Sequence, residues 1–167
     1  MGMEQQLRLI GEQLVRRSWM LTTAESCTGG GVAHAVTSIP GSSRWFERGF
    51  VTYSNLAKQQ MLGVTVELLQ SYGAVSEPVV RAMADGALQN SAAQLSLAIS
   101  GIAGPDGGSP GKPVGMVWFA WAVSGRTTTS CCQHFDGDRA QVRELAIQTA
   151  LAGILDVLSA DDTDECI

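Results

Sequence analysis

Residues 20–36 read MLTTAESCTGGGVAHAV. Met20 to Ala24 is a short run rich in β-formers, Glu25 to Gly31 turns through three glycines, and Val32 to Val36 resumes as a helix. Strand, tight glycine turn and helix form the unit of open α/β sheets, where ligands collect beyond the carboxyl ends of the strands. A glycine turn feeding a helix N-terminus offers free N–H groups and a favourable dipole, which suits a phosphate or a developing oxyanion. The glycines match neither a G-x-G-x-x-G fingerprint nor a Walker loop.

The pattern repeats outward from this unit. Glu4 to Arg17 carries Leu7, Ile10, Leu14 and Val15 at helical spacing. Phe46 to Ser54 reads as a second strand, followed by short helices over Leu56 to Leu62 and Thr65 to Tyr72, the latter closed by Gly73. Ser76 and Pro78 open a longer helix that runs to about Asn90. Leu95 to Ser100 is a strand leading into a glycine-rich loop, Gly101 to Gly111. Val114 to Val123 and Thr127 to Phe135 form a hairpin around Ser124-Gly125-Arg126, and Asp138 to Leu158 is a long final helix. Early strand–helix alternation with a late hairpin predicts an α/β fold, a three-layer α/β/α sandwich on a mixed, mostly parallel sheet. One domain is expected over residues 1–158, with 159–167 an acidic, disordered tail.

The composition sets limits. The chain has 167 residues, 45% hydrophobic and 16% charged, enough for a sizeable core and too apolar for disorder. No apolar run approaches the ~20 residues needed to span a bilayer, and the first residues lack the apolar core of a signal peptide. A cytoplasmic protein without membrane contact is expected. The formal charge of −5 disfavours a nucleic-acid partner. Cys27, Cys131, Cys132 and Cys166 show no zinc spacing, so no metal is expected and the cysteines read as reduced thiols.

Two loops can carry chemistry, residues 26–31 and 101–108. Ser26, at the strand-to-helix turn, stands where a nucleophile would be exposed beside oxyanion donors, or where Ser26 or Thr28 would cap the helix. Cys27 is an alternative nucleophile. Neither His34 nor His134 has an evident orienting carboxylate, so a Ser-His-Asp triad is not supported. Lysine is the other base, and only Lys58 and Lys112 exist. Lys58 follows Tyr53-Ser54-Asn55 and can project at the same sheet edge as Ser26, or stand solvated on its helix. A working lysine base requires burial or a neighbouring cation to lower its pKa. Arg139 and Arg143, one helical turn apart, would clamp a phosphate or pair with Asp136, Asp138 or Glu144.

At these residues the chain resembles the CinA C-terminal-domain family, the competence/damage-inducible CinA-like proteins that include bacterial nicotinamide-nucleotide amidohydrolases. The matching segments are Thr23 to Gly30, Pro40-Gly41-Ser42-Ser43, Tyr53-Ser54-Asn55 with Lys58, and Gly73-Ala74-Val75-Ser76. Further matches are Ser100 to Gly108, Lys112-Pro113-Val114-Gly115, and Gly137-Asp138-Arg139 with Arg143, so that the likeness runs from about residue 5 to 158. Leu56 departs from the family pattern where a polar or acidic residue is expected, and Met116 where threonine is expected.

The resemblance implies a three-layer fold without metal or cofactor that hydrolyses nicotinamide mononucleotide to nicotinate mononucleotide and ammonia, recycling a by-product of NAD metabolism. It implies Ser26 as nucleophile, Lys58 as base and Tyr53 as their support. In that mechanism the N–H groups of Cys27, Thr28, Gly29 and Gly30 receive the oxyanion. Asn55, Ser100, Gly101, Ala103, Gly104, Arg139 and Arg143 complete the substrate shell, with the 5′-phosphate near Arg139 or the glycine loop. Some members carry a further N-terminal domain; with 25 residues ahead of Ser26, the stand-alone form is expected. A homo-oligomer, a dimer, is also expected. The competing reading is a catalytically silent paralogue that binds a nucleotide as a regulatory module.

Overall fold

The computed structural model describes residues 1–164. The strands β1 (Leu21–Glu25), β2 (Phe46–Val51), β3 (Leu95–Gly101), β4 (Met116–Val123) and β5 (Thr129–His134) form one sheet in the order β2-β1-β3-β4-β5. β1 lies parallel to β2 and β3, whereas β4 runs antiparallel to β3 and β5. The sheet is therefore mixed, with only β4 reversed. Every residue of β1 is buried, as expected of a strand covered on both faces.

The helices divide between those faces. On one, α1 (Met3–Arg17), α2 (Gly31–Thr37) and α6 (Arg139–Asp164) pack Ile10, Leu14, Val36 and Ile154 over Leu21, Leu97 and Phe119. On the other, α3 (Asn55–Leu62), α4 (Val66–Tyr72) and α5 (Glu77–Gln89) pack Leu62, Leu69, Val79 and Met83 over Ala24, Ala98, Ala120 and Ala122. The alanines on this second face let α5 sit close to the sheet. Gly86 of α5 meets the end of α3 in backbone contact: a Cβ there would lie 2.0 Å from the Leu62 carbonyl oxygen.

Two expected boundaries move. The second strand ends at Val51 rather than Ser54, because Thr52 N–H makes a last bond to the Glu25 carbonyl at 2.8 Å and Ser54 then caps α3, its Oγ accepting from Ala57 N–H at 3.0 Å. The acidic stretch expected to be disordered from residue 159 instead continues α6 to Asp164. Arginines of α1 hold it there. Buried Asp161 accepts from Arg17 Nε at 3.1 Å and pairs with Arg126, while Asp162 accepts from Arg16 at 3.0 Å and pairs with Arg17. The rest of that tail, including Cys166, lies outside the described residues.

Candidate active site

The carboxyl ends of β1 and β3 and the starts of α3 and α6 converge on a cavity of about 200 Å³. It is lined by Ser26, Cys27, Tyr53, Asn55, Lys58, Ala74, Val75, Ser100, Gly101, Ala103 and Arg139. A larger surface groove of about 390 Å³ between α1 and Trp45 offers no nucleophile paired with a base. The two histidines stand exposed on α2 and β5, away from the cavity.

Ser26 and Lys58 meet in this cavity. The Ser54 cap starts α3 so that its first turn carries Lys58 inward, where only 1% of the residue remains exposed. Lys58 Nζ lies 3.1 Å from Ser26 Oγ and donates to the Thr52 carbonyl at 2.8 Å. Burial lowers the Lys58 pKa from 10.5 to about 8, against a smaller opposing influence of Cys27. A neutral amine has two N–H donors and one lone pair. With Thr52 holding a donor, the lone pair can take the hydroxyl proton of Ser26. The lysine is thus a buried neighbour of the serine and not a solvated helix residue.

The loop that presents Ser26 is built by a residue the sequence reading left unassigned. Glu25, buried at the end of β1, accepts from Thr28 Oγ1 at 2.6 Å, Val32 N–H at 2.8 Å and Ala33 N–H at 3.1 Å. The carboxylate satisfies first-turn amides of α2, so neither Ser26 nor Thr28 caps this helix. The signal was a carboxylate at the end of a short strand, just before a helix whose amides needed a partner. Gly29 and Gly30 take φ of +60° and +96°, a left-handed pair open to glycine at little cost.

The amides of this loop are not equivalent. Gly29 N–H donates to the Ser26 carbonyl at 3.0 Å and Gly31 N–H to the Thr28 carbonyl at 3.0 Å. The Gly29 amide expected to receive an oxyanion is therefore already engaged. The N–H groups of Cys27, Thr28 and Gly30 take no oxygen acceptor among the described residues. The Cys27 thiol is 6% exposed, and burial foremost pushes its pKa up to about 11. It is a protonated thiol near neutral pH, which disfavours Cys27 as a nucleophile.

The remaining residues fall into two groups. Arg139 reaches the cavity rim, donating to the Gly104 carbonyl at 2.8 Å and to Tyr53 Oη at 3.0 Å. Tyr53, 63% exposed, bonds this arginine and not Ser26 or Lys58. Ser100 turns its hydroxyl to the Ala74 carbonyl at 2.8 Å and lines the cavity with Gly101, Ala103 and Asn55. Thr28, Gly29, Gly30, Gly104 and Arg143 stand outside that lining. Arg143 donates from Nε to the Cys27 carbonyl at 3.1 Å and from Nη2 to the Thr28 carbonyl at 3.2 Å. Among the described residues, neither arginine pairs with Asp136, Asp138 or Glu144. No group of three or more potential metal-binding side chains occurs among them.

The match to the family described as the CinA C-terminal domain covers residues 3–158. The chain is 54% identical over 146 residues to nicotinamide-nucleotide amidohydrolase PncC of Pseudomonas putida, a span of 87% of this chain and 91% of that protein. It is 58% identical over 145 residues to the protein of the same name from Escherichia coli K12, covering 85% and 86% of the two chains. The crystal structure of a competence-damaged protein (CinA) superfamily protein from Klebsiella pneumoniae superposes with a TM-score of 0.91 at 38% identity, over 96% of this chain and 99% of that one. The family match runs from the start of α1 into α6 and takes in every wall of the cavity, so the chain belongs to the CinA C-terminal domain family.

Proposed function

We propose that this chain is a nicotinamide-nucleotide amidohydrolase that converts nicotinamide mononucleotide and water to nicotinate mononucleotide and ammonia. The observation that carries the reading is the buried contact of Lys58 Nζ with Ser26 Oγ, 3.1 Å, at the mouth of a glycine turn. Relatives at 54% and 58% identity bear the name of that activity.

The chemistry follows from the geometry. Neutral Lys58 accepts the Ser26 proton as Oγ attacks the carboxamide carbon. Unengaged loop amides receive the oxyanion. The C–N bond then breaks, protonated Lys58 returns the proton to the leaving nitrogen, and ammonia departs from an acyl-Ser26 ester. Water, deprotonated by Lys58, attacks that ester, and Ser26 recovers its proton as nicotinate mononucleotide leaves. Arg139 on the rim, fixed by Tyr53 and Gly104, suits the 5′-phosphate. Asn55, Ser100, Gly101 and Ala103 frame the pyridine ring. Tyr53 supports the site through Arg139.

No cofactor or metal takes part in this scheme. We place the protein in the cytoplasm; no helix among the described residues is long and apolar enough to cross a membrane. Residues 1–158 act as one catalytic domain in this reading. A homodimer is part of this reading, and sedimentation of the purified chain reads that assembly.

The deciding experiment measures ammonia release from nicotinamide mononucleotide, nicotinamide riboside and nicotinamide, before and after dialysis against a chelator. Turnover should be best with the mononucleotide and survive chelation. Ser26→Ala should lower kcat by at least about a thousandfold with the fold intact. An inactive wild-type chain that still binds the mononucleotide would point to the silent-paralogue reading, which the intact Ser26–Lys58 pair disfavours.

A further inference from the structure

Arg143 resembles a phosphate ligand by position, one helical turn beyond Arg139 on the same helix. Its contacts are of another kind. Both donors end on main-chain carbonyls of the nucleophile loop, those of Cys27 and Thr28. A trans peptide is planar and its C=O and N–H point in opposite directions. The only cis peptide in the described chain is Gly104-Pro105, so the 27–28 bond is trans. Holding the Cys27 carbonyl toward α6 therefore turns the Thr28 N–H away from α6.

That amide is buried with the rest of Thr28, which has no exposed surface, and it takes no oxygen acceptor among the described residues. Buried amides are nearly always paired, so an unpaired one beside a nucleophile needs a reason. The second contact, to the Thr28 carbonyl, fixes the next peptide, whose Gly29 N–H closes the turn onto the Ser26 carbonyl. A guanidinium on a carbonyl also polarises that peptide and strengthens its N–H as a donor.

We propose that Arg143 is a positioning residue for the nucleophile loop, which carries Ser26 and the free amides of Cys27 and Thr28, and not a ligand of the phosphate. It clamps the loop from α6 while Glu25 ties the same loop to α2 from within. The inference rests on the serine-hydrolase reading of Ser26 but not on the identity of the substrate.

The test compares Arg143→Lys and Arg143→Ala with wild type in three assays: ammonia release from the mononucleotide, from the riboside that lacks the phosphate, and covalent labelling of Ser26 by a fluorophosphonate. Labelling needs the nucleophile and its oxyanion donors but no mononucleotide. Arg143→Ala should lower kcat on both substrates and the labelling rate by a similar factor, about tenfold to a hundredfold, with the KM for the mononucleotide within about twofold of wild type. Arg143→Lys, which keeps one charged donor, should fall between, and serves alone if the alanine variant does not fold. A variant that raises KM for the mononucleotide while the riboside and the label react as in wild type would make Arg143 a phosphate ligand and overturn the proposal. Unchanged kinetics throughout would overturn it as well. A wild-type chain that takes the label in an Arg143-dependent way yet releases no ammonia from the mononucleotide would remove the substrate assignment and support the positioning role.

Discussion

Lys58 buries an amine where water cannot help it carry charge, and both its activity and its cost to the fold follow from that. With a pKa of about 8, it is mostly protonated at pH 7, and turnover should climb as pH passes through about 8 and then level off. Lys58→Arg keeps a cation that does not deprotonate usefully, so it should be about as inactive as Lys58→Ala while still binding the mononucleotide. Substantial turnover by Lys58→Arg at neutral pH would make the residue a charge anchor and not a base. Folding lowers the proton affinity of this amine from 10.5, so the unfolded chain binds more protons between about pH 8 and 10.5, and stability should rise with pH across that window. Lys58→Met removes the penalty; it should gain roughly 2 kcal/mol in denaturant unfolding at pH 7 and be catalytically dead. The glycine turn and the scarcity of lysines made Ser26 and Lys58 candidates in the sequence, each beside a bland alternative, and only the family resemblance gave them roles. Their contact was not legible, because it joins segments that only the β1–β2 pairing brings together, and the Thr52 carbonyl that orients the amine escaped because the strand was read on to Ser54 and its end at Val51 was missed.

Elements place these residues by how closely their backbones approach. Gly86 lets α5 touch the last residue of α3, the helix that carries Lys58. Gly86→Ala pushes a methyl group against the Leu62 carbonyl, 2.0 Å from its Cβ, and α3 must yield. Overpacking of this kind should cost about 1–3 kcal/mol in urea unfolding, and kcat should fall with it because the lysine moves with its helix. Full stability with normal kcat would show that the helices adjust freely. Element types were readable wherever periodicity or a stop signal was local, as with Ser76 and Pro78 at the start of α5 and Gly73 at the end of α4. The Glu25 cap escaped because its partners, Val32 and Ala33, lie a full glycine turn beyond the strand it belongs to. The end of α6 escaped because the arginines that neutralise its acidic last turn sit on α1 and beside the β4–β5 turn.

Across the whole molecule, a charge cluster joins the last turns of the first and last helices. Asp161 is 1% exposed and pairs with Arg17, itself 8% exposed, and with Arg126. Removing one partner of a buried charge cluster is costly, so Asp161→Ala should lower unfolding free energy by about 3 kcal/mol. Activity measured well below the melting temperature should hardly change, since the site lies at the opposite end of α6; a large loss of kcat there would contradict this separation. At about 1.5 Å per residue, the 26 residues of α6 form a rod roughly 39 Å long. Its first turns grip the carbonyls of Cys27, Thr28 and Gly104, and its far end is moored to α1. α6 therefore spans the molecule as one unbroken rod, anchoring the peptides beside Ser26 at one end and the close of α1 at the other.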